Sequence, residues 1–280
     1  MITSFLPTLT PVNDNSSDWY RNFHNSFWMC QITNNLLVSY IEADDPPEIE
    51  DFDLISYKIG IIRNGLLGRK REVEYMAGIV GIEFKIEENI EIEINKLKDL
   101  ATELKWGEII KGFLNLWEFL FLFSSFESAI KVALVSPRLK GAELIQTIRG
   151  KLGNVSSVTP IEQIEKSLWP YYSEVRNIFA HSHGIVTKKD FNSLNKQVAL
   201  ARDFAQNPSA GLNIDAEDFH DKYGDYVLSR MIEITLFDDK TFNPINIIEN
   251  KFFFLSDQEL NIFRNIITDV ASGVEKASSP

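Results

Sequence analysis

Between Glu174 and Gly184 the chain reads Glu-Val-Arg-Asn-Ile-Phe-Ala-His-Ser-His-Gly, placing an arginine, an amide and two of the four histidines within a short span. Histidine titrates near neutral pH and can take or return a proton. A guanidinium is always charged, and its fork of donors stabilises negative charge that builds on phosphate oxygens. Asn177 can hold a phosphate oxygen or fix the orientation of an imidazole. Together these residue types suit attack of a ribose 2′-OH on its neighbouring phosphate. His181 would serve as the acid–base group, Arg176 as the charge stabiliser, and His183 as a possible second acid–base group. The histidines lack Cys or carboxylate companions at recognisable ligand spacing, so no metal and no cofactor is expected.

Helical geometry decides how these side chains can meet. On a helix from Pro170 to His183, Tyr171, Val175, Ile178 and Phe179 form one apolar stripe. Asn177 and His181 lie one turn apart on a common flank, with Glu174 further back on the same flank. Arg176 stands roughly 140° around from His181, nearer to His183. One straight helix therefore does not place the pair side by side. Either the helix unwinds before His181, or two copies meet across a two-fold axis, as an isologous dimer does naturally. The same residues also fit a plain end to a surface helix, because the helix dipole favours a histidine near the C-terminus. R-x-x-x-x-H by itself is a common chance spacing.

Arg176, Asn177 and His181, with a glycine following, resemble the R-N-x-x-x-H signature of HEPN domains. These are small helical bundles, many of them metal-independent RNases of bacterial toxin and antiviral systems. The resemblance covers about a third of the chain. It implies an endoribonuclease acting on RNA through a dimeric cleft, with an antitoxin or sensor protein as a further partner. A catalytically inactive relative that binds a partner protein or nucleotide is the alternative. Many members continue directly from His to Gly, whereas here Ser182 and His183 intervene.

The rest of the chain must position that helix. Its 280 residues, 44% of them hydrophobic, provide for a sizeable core, and the expected fold is mostly α with a minor β element. Three parts are expected: an N-terminal elaboration over 1–106, a HEPN-like bundle over 107–206 and a C-terminal helical extension over 212–280. Asp18 is expected to cap a first helix bearing Trp19, Phe23, Phe27, Ile32 and Leu36. Residues 54–106 read less clearly: Ile82, Phe84 and Ile86 alternate like a strand, with a helix from about Glu88. From Gly107 to Val135 runs an apolar segment that Glu118, Glu127 and Lys131 interrupt and acidic stretches flank. These features favour a central bundle helix over a membrane span. Glu127, inside that segment, needs a partner and is a candidate for pairing with Arg176 or for a structural role.

Thr159 with Glu162, Thr187 with Asp190 and Ser256 with Glu259 read as helix starts. Asn207 to Gly211 reads as a linker, Tyr223 to Phe237 as a helix and Phe252 to Leu255 as a buried strand. A single cysteine, Cys30, excludes an internal disulfide framework and fits a reducing, cytoplasmic setting, as does an N-terminus without signal-peptide character. The formal charge of −12 opposes indiscriminate RNA binding. Acidic residues crowd positions 42–53, however, while Lys131, Arg138, Lys140, Arg149 and Lys151 face only Glu143 between positions 131 and 158. Arg149 and Lys151 are the candidate phosphate contacts.

Overall fold

The structure, a computed structural model, describes residues 9–43, 106–139, 142–152, 161–206 and 247–278. It is mostly α. The helices are α1 (Asp18–Ala43), α2 (Trp106–Ala133), α3 (Ala142–Leu152), the short α4 (Ile161–Gln163), α5 (Trp169–His181), α6 (Lys188–Gln206) and α7 (Asp257–Ser278), with a π-helical turn at Ile164–Leu168 between α4 and α5.

The apolar segment of α2 is the centre of the bundle. Leu116, Phe119, Leu122, Phe123, Phe126 and Ile130 recur at helical spacing and are buried. Helix α1 packs along one side of α2, and α7 packs along another. Phe123 stacks on Trp169 of α5, with ring centroids 4.9 Å apart, and Phe119 meets Phe263 of α7 edge-on at 4.8 Å. Such aromatic pairs add about 0.5–1.5 kcal/mol beyond the area they bury. Residues of α1, α2, α3, α5, α6 and α7 all enter one continuous core. By length and composition α2 could cross a membrane, but half of its apolar stretch is buried against the neighbouring helices.

Two of the expected helix starts are present in full. The Thr187 and Ser256 hydroxyls accept from the N–H of Asp190 and Glu259, and those carboxylates accept from the Thr187 and Ser256 N–H in return. Asp18 does not cap α1 but is its first residue. Ser17 before it turns its N–H (2.7 Å) and hydroxyl (2.5 Å) to Glu275 of α7, because that buried carboxylate requires donors. Phe252 to Leu255 forms no strand. Phe252 makes an isolated antiparallel bridge with Ile185, and Phe253, Phe254 and Leu255 run buried into α7. The expected strands and helix within 54–106, Thr159, the linker at 207–211 and the helix at 223–237 lie outside the described residues.

Candidate functional site

Helix α5 begins where the chain widens by one residue per turn. The Trp169 N–H donates to the Ile164 carbonyl, five residues back. Pro170, which has no N–H and crowds the carbonyl four residues before it, follows directly. The apolar stripe is as expected at Tyr171, Val175 and Ile178, which are buried together with Trp169 and Tyr172.

Two phenols tie this face to the start of α7. Tyr172 donates to the Glu259 carbonyl at 2.7 Å, and Tyr171 donates to the Glu259 carboxylate. Burial pushes the Glu259 carboxyl up, while the donors from Tyr171 and Ser256 oppose that rise. Burial, and then the facing Glu259, push the Tyr171 phenol well up, so it keeps its proton as the donor. On the flank, Ser193 of α6 donates to Glu174 at 2.8 Å. Glu174 therefore braces α5 against α6, a partnership the sequence did not reveal.

At the other end, Arg176 and His181 are exposed and Asn177 is half-buried. Arg176 donates to Asn177 Oδ1 at 3.2 Å, and among the described residues no hydrogen bond joins Arg176 to His181. Regular α-helix runs through both of them to a C-cap at Ser182. Unwinding before His181, the first way of bringing the pair together, is therefore absent, and the angular separation stands. Within one chain, therefore, α5 does not bring the two side chains together.

Ser182 and His183 have a structural role in ending α5. The N–H groups of Ser182 and Gly184 both converge on the Ile178 carbonyl, at 2.9 and 3.2 Å. This closes the helix through left-handed residues at His183 (φ 52°) and Gly184 (φ 85°). His183 thus takes a left-handed position just beyond the helix end that more often falls to glycine. Gly184 is needed for space as well as for its φ. A Cβ there would lie 2.4 Å from the Phe252 ring and 3.0 Å from that of Phe179. Phe253 N–H donates to Gly184 O at 2.8 Å, Val186 N–H to Lys251 O at 2.9 Å and Asn250 N–H to Val186 O at 2.8 Å. The segment before α7 thereby clamps the turn that follows His181.

Glu127, Arg149 and Lys151 each have a partner within the chain. Glu127 pairs with Lys131, one turn along α2 at 3.4 Å, and not with Arg176. Arg149 pairs with Glu165 of the π turn at 2.6 Å, and Lys151 reaches the Leu134 carbonyl beyond the end of α2 at 3.5 Å. Both contacts position α3. Among the described residues, no cluster of three or more His, Cys, Asp or Glu is arranged to hold a metal ion. No family model matches the chain, nor does any curated protein or solved structure.

Proposed function

We propose that the protein is a metal-independent endoribonuclease of the HEPN type, a cytoplasmic toxin or antiviral effector whose site forms where two copies of α5 meet. One observation carries this reading. Arg176 and His181 are exposed near the end of a regular helix with Asn177 half-buried between them, and helical spacing sets the arginine and the histidine on different edges of it. Across a two-fold axis, Arg176 of one copy faces His181 of the other. His181 then takes the 2′-OH proton, Arg176 stabilises the phosphorane oxygens, and Asn177 orients the phosphate or the imidazole. The products are a 2′,3′-cyclic phosphate and a free 5′-OH. An antitoxin or sensor protein would control such an activity. The net charge of −12 favours a second reading, a catalytically inactive helical module that binds a partner protein or nucleotide.

Incubation of the purified protein with total RNA in the presence of chelator, followed by sequencing of the ends, separates these readings. Cleavage with cyclic-phosphate ends is expected. Substituting His181→Ala should reduce it by about 10²–10⁴, the usual contribution of a positioned acid or base. Intact RNA, or full activity in the variant, contradicts the nuclease reading.

A further inference from the structure

One contact fixes the register of α5 against α6: Ser193 donates to Glu174 at 2.8 Å. Residues 182–187 join the two helices, so they run antiparallel. Moving up α5 from Glu174 to Asn177 therefore corresponds to moving back along α6 from Ser193 to Lys189. Helical spacing sets Lys189 and Lys196 about one turn either side of Ser193, on the solvent side of the edge that meets α5. Both are exposed. On α5 the matching outer side carries Arg176 and Ala180, also exposed. Three cations thus share the outer face of the hairpin.

The acids of these two helices do not cancel them. Glu174 is turned to Ser193, Asp190 is engaged by Thr187, and Asp203 stands near the far end of α6. Among the described residues neither Lys189 nor Lys196 has a hydrogen bond or an ion pair. Lys189 does not serve α6 either, since the positive end of the helix dipole disfavours a lysine in the first turn. In a chain of net charge −12 this face is a local reversal of sign.

We propose that it binds the phosphodiester backbone of single-stranded RNA, with Lys189 and Lys196 as phosphate contacts that lead the strand to Arg176. Lysine is a point charge suited to a phosphate oxygen and reads no base. Roughly 10 Å of helix separates the two lysines, so an extended polyanion can reach both where a single phosphate cannot. Arg149 and Lys151, the contacts expected from the sequence, are engaged in holding α3. That the polyanion is RNA rests on the nuclease reading, whereas the charge pattern does not.

Binding is measured on the full chain carrying His181→Ala, so that the strand stays uncut. A fluorescent oligouridylate is titrated over a series of salt concentrations and its anisotropy followed. Lys189→Gln and Lys196→Gln should each flatten the dependence of log affinity on log salt by about 0.7, and together by about 1.4. Arg138→Gln removes the same charge from an exposed position beyond the far end of α2 and should leave the slope unchanged. Absence of saturable binding, unchanged slopes in both lysine variants, or an equal loss in Arg138→Gln overturns the assignment. Displacement of the RNA by oligoglutamate at equal charge also overturns it, because the face would then fit an acidic protein segment. The nuclease reading fails separately: a native chain that binds RNA through these lysines and leaves it intact contradicts catalysis alone. Cleavage by the native chain with unchanged slopes in the lysine variants contradicts this face alone.

Discussion

Arg264 and Arg176 put the same guanidinium to opposite uses. At the junction of α1, α2 and α7, Arg264 is largely buried, held by both oxygens of Glu118 and by Asn261. At the end of α5, Arg176 is exposed and donates to the neighbouring Asn177. In the interior the low dielectric makes pairing obligatory, so the group is fixed in place and unavailable for chemistry. At the surface the group is available but not preorganised, and strong transition-state stabilisation needs donors aimed in advance. Under the proposed function, the geometry that the α5 end lacks would come from a second copy.

Unequal responses to substitution are the first way to break this contrast. Arg264→Met strands a buried carboxylate and should cost roughly 3–5 kcal/mol in denaturant unfolding. Arg176→Ala, at an exposed position, should stay within about 0.5 kcal/mol. Replacing Glu118 and Arg264 together by leucine and methionine should recover much of the loss. Comparable costs for the two single variants would mean that Arg176 is structural after all.

A smaller effect is expected where the site meets its support. Gly184→Ala places a Cβ against the Phe252 ring at a left-handed φ, and should cost roughly 1–3 kcal/mol. Phe252→Ala in the same chain should relieve the clash but not the backbone strain, so only part of the loss returns. An alanine variant as stable as the native chain would show that the turn after His181 is not clamped.

The mildest effect depends on pH. The Cys30 thiol is raised to about 12 in the folded chain, chiefly by burial. The folded state therefore holds this proton more tightly than the unfolded state does. Its contribution is fully present below the ordinary thiol range and is lost as pH rises through about 12. Tyr20 and Tyr171, both raised by burial, act in the same direction at high pH. Stability should fall on the alkaline side, and Cys30→Ala should flatten the first part of that fall. Identical profiles for the two chains would mean that the thiol is not buried as described.

The helical character was legible wherever a period of 3.6 residues dominated, as in α2 and in the buried face of α5. Capping chemistry marked the starts of α6 and α7, because its side-chain signals are local. Asp18 misled because Ser17 is claimed by Glu275, 258 positions away, and nothing local reports such a contact. Phe252 to Leu255 has strand-like composition, yet one bridge to Ile185 sufficed to place it. In the site, the residue types and the angular gap between Arg176 and His181 were readable from spacing alone. The fixing of Glu174 by Ser193 and the packing of Phe252 on Gly184 were not, since each joins segments distant in the chain. Glu118 stood out as a charge in an apolar run, but its partner Arg264 lies 146 positions on.

The claim that the α5 end becomes a site when shared between two copies is tested most directly by mixing inactive subunits. Arg176→Ala and His181→Ala chains, each expected to be inactive alone, are unfolded, combined and refolded, and RNA cleavage is measured under chelator. A shared site predicts recovered activity, because a heterodimer keeps one cleft with Arg176 from one chain and His181 from the other. Heterodimers that form yet cleave no RNA, while the native chain does, would contradict it.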